Sequence, residues 1–390
     1  MTATIGGVGM WSVVVALPSV QAEFGVSRAE VSLAYTLLMV GFGLGGIAMG
    51  RLADRFGVAV PVTIGTVCLA LGYFAAAAAP SLLWFALAQG VLIGFAGSST
   101  TFGPLLADTS HWFFRRRGLA VAIVASGNYL AGTLWPPILQ HFIATVGWRQ
   151  THVGVGVFCL VAMLPLALAL RRRAPMHLPH ATHAGAHASG MTALGLSPGT
   201  LQGLLIVAGV ACCVAMSMPQ VHIVAYCGDL GYGAASGARM LSLMLGFGIV
   251  SRLASGWIAD RIGGLRTLLL GSVLQGVALV LYVPFDGLMS LYVISALFGL
   301  FQGGIVPSYA IIIREYFAPG EAGARVGTVL MATLAGMALG GWLSGVVFDL
   351  TGSYRAAFLN GLAWNLLNVS IVGWLLLRSR SGLERKRATA

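Results

Sequence analysis

One segment occurs twice in this chain: Gly50-Arg51-Leu52-Ala53-Asp54-Arg55-Phe56-Gly57 and Gly256-Trp257-Ile258-Ala259-Asp260-Arg261-Ile262-Gly263. The copies stand 206 positions apart (54 to 260), and the same offset carries Arg149 in Gly147-Trp148-Arg149 onto Arg355 in Gly352-Ser353-Tyr354-Arg355. One half of the chain therefore repeats the other. Only 8% of residues are charged and 58% are hydrophobic, against roughly 25% charged in an ordinary soluble domain. A water-soluble fold of this length has nowhere to put so much apolar surface, so the repeat describes two helical halves of an all-α membrane protein.

A helix needs about 20 apolar residues to cross a hydrocarbon core of about 30 Å. On that measure about twelve spans are expected, the first six near 2–20, 29–50, 59–79, 82–107, 117–140 and 151–170. The second six fall near 201–224, 236–258, 266–285, 288–312, 325–347 and 355–377. This divides the chain into a six-helix half (1–170), a linker (171–200) rich in Pro, Gly, Ala and His, a second six-helix half (201–377) and a short tail (378–390). The N-terminus has no basic residue before its apolar run and reads as the first membrane helix rather than a leader.

The net charge of +11 is explained by position. Arg51, Arg55, Arg115 to Arg117, Arg171 to Arg173, Arg261, Arg266, Arg314 and the tail from Arg378 to Arg387 all fall on one side of the predicted topology. The other side carries little more than Arg28, Arg149, Arg239 and Arg355. The positive-inside rule makes the first side cytoplasmic, with both termini on it. No basic amphipathic helix or aromatic-basic module points to nucleic acid. Cys68, Cys159, Cys212, Cys213 and Cys227 match no metal or redox spacing and read as small buried hydrophobes. The linker histidines His177, His180, His183 and His187 suit no tetrahedral site. No phosphate-binding loop, nucleophile elbow or acid-base pair stands in the spans, so neither a catalytic centre nor a cofactor is expected.

The doubled Gly-x-x-x-Asp-Arg-x-Gly loops, after the second and eighth spans, resemble the hallmark loop of the major facilitator superfamily, and the resemblance runs over essentially the whole chain. Trp112-Phe113-Phe114-Arg115-Arg116-Arg117-Gly118, Ser251-Arg252 and Phe348-Asp349-Leu350-Thr351-Gly352-Ser353-Tyr354 resemble segments of its monocarboxylate and oxalate/formate carriers. The resemblance implies a multi-pass transporter of the cell membrane with two pseudo-symmetric six-helix halves around a central site, working by alternating access. It also implies that Gly50, Asp54, Arg55, Gly57 and Gly256, Asp260, Arg261, Gly263 form cytoplasmic latch loops. In those loops a carboxylate favours the N-terminus of a neighbouring helix, and the glycines allow tight turns and close approach. Topogenic charge alone is the other reading of the same residues.

Arg252 is the main binding candidate. It lies eight positions before Asp260, about 12 Å inside the boundary at 1.5 Å per residue. An arginine at that depth must face a polar cavity or a partner rather than lipid. All eleven acidic residues fall at span ends or in loops, which suits a guanidinium whose carboxylate arrives as substrate. In the resembling carriers an arginine at this place binds the substrate carboxylate. Carriers of oxalate add a lysine in span eleven, but here that span has no Lys, Arg or His, which implies one carboxylate per substrate. The aspartate that proton-coupled relatives place four residues earlier is Gly248 here.

His222, near the outer end of span seven beside Pro219, is either a proton carrier or a neutral imidazole bonded within the bundle. Asn128 and Tyr129 on span five and Gln302 and Tyr309 on span ten either bind a small anion or join helices. A cavity role is expected for Asn128 and Tyr309, and a packing role for Asn360, Asn365 and Asn368 in span twelve. The expected partners are a small organic anion, a proton or a counter-anion, and the bilayer. The alternative is an exporter on the same fold, but the Gly-Pro-x-x-Gly-Gly stretch typical of exporters is missing from span five, which reads Ser126-Gly127-Asn128-Tyr129-Leu130-Ala131-Gly132-Thr133-Leu134-Trp135-Pro136.

Overall fold

The computed structural model describes residues 1–112, 117–171 and 195–388. The linker histidines and the basic stretch 113–116 lie outside these. No strand occurs among the described residues, and eleven of their helices are long and apolar enough to cross a membrane. A further 30-residue helix, Arg117–Val146, occupies the place of the fifth span. The spans are Thr2–Phe24, Arg28–Phe56, Ala59–Ala77, Leu82–Thr109, Arg117–Val146 and Trp148–Ala169 in the first half. In the second half they are Pro198–Asp229, Ala234–Ile262, Gly264–Leu281, Leu288–Tyr316, Pro319–Thr351 and Tyr354–Ala388.

The duplication is visible in the backbone. Gly25 and Gly231 end spans one and seven with φ of 62° and 81°, and Gly57 and Gly263 end spans two and eight with 86° and 83°. Both pairs stand 206 positions apart, at left-handed turns that disfavour a side chain. Spans four and ten break at matching places. Span four passes from a π-helical stretch (Ala88–Gly97) through a 3-10 turn (Ser98–Thr101), and span ten breaks at Gly303 and Gly304 before resuming at Ile305. Span two starts with a capping box, in which Ser27 accepts from the Glu30 N–H and Glu30 accepts from the Ser27 N–H.

Close helix contact rests on small residues, as expected where water supplies no driving force between helices. A Cβ on Gly41 would lie 2.0 Å from the Gly90 carbonyl oxygen, and one on Gly340 2.5 Å from that of Val214. Elsewhere the bundle turns Val91, Phe158, Val161, Leu253 and Val293 outward, a surface that hydrocarbon rather than water accommodates.

Packing divides the chain into two units that do not follow the sequence halves. The first comprises Met1–His177 together with Met218–Gly246 and Gly341–Ala357, so the ends of spans seven, eight, eleven and twelve opposite the Asp-Arg loops pack within the first half's unit. The second comprises Leu178–Ser217, Phe247–Gly340 and Phe358–Ala390. Its core gathers Leu205, Ala208, Cys212, Leu268, Ile305, Tyr309, Val329 and Val372. Asn365 ties span twelve to span nine, its Nδ2 donating to the Ser272 carbonyl at 3.1 Å and to Gln275 Oε1 at 3.2 Å. Asn368 donates to the Ala208 carbonyl at 2.8 Å.

Candidate functional site

In the second unit, Arg252 sits ten residues before the end of the helix Ala234–Ile262, about 15 Å along its axis from that end. Its side chain is half-buried, and Ser251 beside it is buried. The break in span ten lies directly against this stretch. A Cβ on Gly303 would meet the Gly248 carbonyl oxygen at 2.3 Å and Ser251 Cβ at 2.8 Å, and one on Gly304 would meet Ser255 Oγ at 1.9 Å. A side chain would strike the backbone of span eight at Gly303 and the Ser255 side chain at Gly304, so both positions favour glycine. Gly248 is therefore a contact point between spans eight and ten. Gln302, fully buried, ends the helix just before the break. Arg252 and Gln302 are thus brought onto adjoining elements.

Tyr309 is placed differently from the cavity position expected for it. It is fully buried in the core of the second unit, where its hydroxyl accepts a 2.7 Å hydrogen bond from Asn368 Nδ2. Span ten resumes its helix at Ile305, and one turn later the ring faces spans seven and twelve, so Tyr309 ties helices together.

Asn128 belongs to the first unit and stands beside a break in span one, where Gly7 separates Thr2–Gly6 from Val8–Phe24. Its carbonyl accepts from Trp11 Nε1 at 3.3 Å, its Nδ2 lies 3.6 Å from Met10 Sδ, and a Cβ on Gly7 would come 3.2 Å from its Oδ1. Trp135 Nε1 donates to the Thr4 carbonyl at 2.9 Å, fixing the short leading helix to span five. His222 is enclosed at the far end of the same unit. Its Nε2 donates to the Gly341 carbonyl at 2.8 Å, and its ring lies 6.0 Å from that of Tyr354. Bonding within the bundle, one of its two expected readings, is therefore realised.

At the doubled loops, Gly57 and Gly263 make tight turns and donate to Ala53 and Ala259 carbonyls at 2.7 and 2.9 Å. Arg55 lies over Phe56 at 5.3 Å and Arg261 over Trp257 at 3.7 Å. Among the described residues, no atom outside the helix's own neighbouring backbone falls within 4 Å of a Cβ built on Gly50 or Gly256. The carboxylate at the N-terminus of span nine is that of Glu315, accepting from the Gly264 N–H at 2.9 and 3.2 Å, rather than that of Asp260.

Sequence reasoning passed over two clusters at the opposite ends of the spans. In one, Glu23 accepts from Trp148 Nε1 and from Arg149 Nε (2.8 Å), while Arg149 also donates to the Ala77 and Ala79 carbonyls at 2.6 and 2.9 Å. In the other, Arg28 grips Asp229 with two bonds of 2.8 and 2.9 Å, donates to the Tyr354 hydroxyl and lies over the Phe348 ring. The offset of 206 relates Glu23 to Asp229 and Trp148 to Tyr354. Applied residue by residue, that offset relates the two acids and the two aromatic residues, though not Arg28, whose counterpart is Ala234.

Comparison with known proteins agrees with this architecture. The family model described as Major Facilitator Superfamily matches residues 1–290 and 249–390. Monocarboxylate transporter 13 of Bos taurus is 33% identical over 318 residues, covering 79% of this chain and 71% of the relative. Monocarboxylate transporter 11 of Homo sapiens is 31% identical over 325 residues, covering 79% and 66%. Among solved structures, a bacterial homologue of the human lysosomal transporter Spinster, inward-facing and unoccupied, superposes with a TM-score of 0.71 at 15% identity over 98% of this chain and 96% of that one. The nucleoside transporter NupG gives 0.72 at 14% over 98% of each. With the twofold repeat, the helical architecture and the family match in agreement, the chain belongs to the major facilitator superfamily and is a membrane transporter, not an enzyme.

Proposed function

We propose that this chain is a secondary carrier of a small monocarboxylate, which Arg252 holds while the two halves alternate access to a site near the membrane midplane. The observation that carries this reading is the placement of Arg252: a half-buried guanidinium about 15 Å inside an apolar span, on the stretch where span eight meets the broken span ten. A planar guanidinium in a low-dielectric site binds carboxylate through two parallel N–H···O bonds, which a lysine ammonium does not reproduce. The relatives named monocarboxylate transporters support the substrate class. Span eleven adds no Lys, Arg or His, so a second substrate carboxylate would be desolvated without a cation to meet it, costing several kcal/mol. Singly charged acids are therefore preferred over oxalate or succinate.

The arginine distribution puts both termini and the doubled Asp-Arg loops on the cytoplasmic side of the cell membrane. The open surroundings of Gly50 and Gly256 fit latches that engage only in the opposite conformation. Among the described spans the acidic residues stand at helix ends, which leaves His222 as the side-chain candidate for carrying a proton in symport. Anion exchange and uniport are the alternatives.

The test is uptake of labelled C2 to C6 carboxylates into proteoliposomes, preceded by a thermal-shift screen, since a ligand that binds only the folded state raises its stability. Arg252→Lys weakens uptake and Arg252→Ala nearly abolishes it. Wild-type affinity for a carboxylate in correctly inserted Arg252→Ala rejects the assignment. Under an imposed pH gradient, an equal response from wild type and His222→Gln removes His222 as the proton site, and no response from wild type removes symport.

A further inference from the structure

Spans one, three, four and six of the first half enclose four polar side chains, Ser12, Tyr73, Gln89 and His152, none more than 2% exposed. Ser12 and Tyr73 satisfy each other. Their hydroxyls lie 2.8 Å apart, and Ser12 also donates to the Gly9 carbonyl at 3.4 Å. His152 Nδ1 lies 2.8 Å from the Trp148 carbonyl oxygen, one turn earlier on span six. A carbonyl only accepts, so Nδ1 carries a proton. An enclosed imidazole with no carboxylate bonded to it is neutral, and its Nε2 is then a bare acceptor. Among the described residues that Nε2 has no hydrogen-bond partner, and neither has either amide atom of Gln89. The same aromatic wall borders both side chains. The His152 ring stands 5.4 Å from the Tyr73 ring and 6.0 Å from that of Phe85, and Gln89 follows Phe85 by one turn on span four.

The repeat shows that this arrangement is particular to the first half. Under the offset of 206, Gln89 corresponds to Ser295 and His152 to Phe358. There the polar set closes on itself: the Ser295 hydroxyl lies 2.8 Å from that of Tyr282, and the Phe358 ring stacks on Tyr282 with centroids 4.7 Å apart. In the first half a longer amide side chain and an imidazole stand where the second half has a hydroxyl and a benzyl group. Gln89 presents an acceptor and an N–H donor group, and His152 a further acceptor. Inside an apolar bundle each of these costs free energy until it is paired.

We infer that the first half binds an internal water between Gln89 and His152, bridging spans four and six. The water donates to His152 Nε2 and Gln89 Oε1 and accepts from Gln89 Nε2, the number of partners usual for a buried water. The donor set selects this ligand. An anion would meet acceptors and no cation, and a metal ion would lack ligands, since no cluster of three His, Cys, Asp or Glu occurs among the described residues. The inference holds whichever solute is carried.

The test is magic-angle-spinning NMR of the full chain, nitrogen-15-labelled at histidine and reconstituted in lipid, with magnetisation transferred from water protons to the imidazole nitrogens. The His152 signal is assigned by its loss in His152→Phe. Wild type shows transfer to His152 Nε2, and Gln89→Met, which keeps the length of the side chain and removes both polar atoms, lowers it by roughly threefold or more. Thermal unfolding reads the coupling. Gln89→Met and His152→Phe each lower Tm, because each leaves the water short of a partner. The double variant falls no further than the larger single, since removing both ends removes the water with them. No transfer from water in wild type, unchanged transfer in Gln89→Met, or additive Tm losses overturns the site. If Gln89→Met does not insert, Gln89→Leu is read by the same criteria, and the wild-type transfer decides by itself.

Discussion

Two corners of the molecule are related by the same offset of 206 positions and are bonded differently. At the first, Glu23 joins spans one and six of a single half through Trp148 and Arg149, with Arg149 also gathering the Ala77 and Ala79 carbonyls at the end of span three. At the second, the equivalent acid Asp229 bonds an arginine from the other half, and Tyr354 in place of Trp148 presents a hydroxyl that accepts from it. Trp148 Nε1 can only donate, so it suits a carboxylate, whereas the Tyr354 oxygen accepts from a guanidinium. The change from Trp148 to Tyr354 thus accompanies the exchange of Ala234 for Arg28 and of Ile143 for Asp349, and a tie within one sequence half is matched by one that joins segments of both. Pseudo-symmetry in sequence therefore does not carry over to side-chain bonding corner by corner.

The first way to break this comparison is to show that either corner binds substrate. Arg252→Ala is expected to cost about 3 kcal/mol of carboxylate binding, or roughly a hundredfold in Kd, the scale of a lost bidentate charge-assisted contact. Glu23→Gln changes that Kd by less than about threefold. Calorimetric titration of both proteins measures this, and a loss in Glu23→Gln as large as in Arg252→Ala would put the first corner in the binding site.

Stability separates the corners next. Arg149→Ala removes the Glu23 pair and two carbonyl contacts, for an expected loss of roughly 2 kcal/mol, read as a lower Tm of the solubilised protein. Asp349 accepts from the backbone N–H of Arg28 at 3.0 Å and of Ala29 at 2.7 Å, and Asp349→Asn keeps an acceptor there but loses the charge, for an expected loss of about 0.5–1 kcal/mol. The same thermal measurement checks it.

The smallest effect is expected from an attempt to restore the missing symmetry. Ala234→Arg supplies the counterpart of Arg28, but Glu23 is already held by Trp148 and Arg149. Its effect on stability, read as Tm, is less than about 0.5 kcal/mol, on the scale of a surface ion pair. A larger stabilisation would show that the first corner also accommodates an arginine at this position.

The sequence by itself determined the membrane-spanning class, the number and order of the spans, the duplication and the glycine turns that end spans two and eight. Each depends on local quantities: a run of apolar residues long enough to cross hydrocarbon, a glycine where φ must be positive, and a repeat at constant offset. It also put Arg252 on span eight and assigned Asn365 and Asn368 to packing, because polar groups inside an apolar helix must find partners. Tertiary structure alone decided which partners those were. Tyr309 and Asn368 are 59 positions apart, and nothing in their spacing distinguishes a tyrosine that faces a cavity from one that meets an asparagine on another helix. The same holds for the Arg28 cluster, whose members come from four spans, and for Gly303, whose need for glycine is set by the Gly248 carbonyl of a neighbouring helix. In a bundle whose helices are apolar on nearly every face, periodicity does not tell which face meets lipid and which meets protein. Only the packed arrangement makes that distinction, and with it the difference between a residue that joins two helices and one left to meet a substrate.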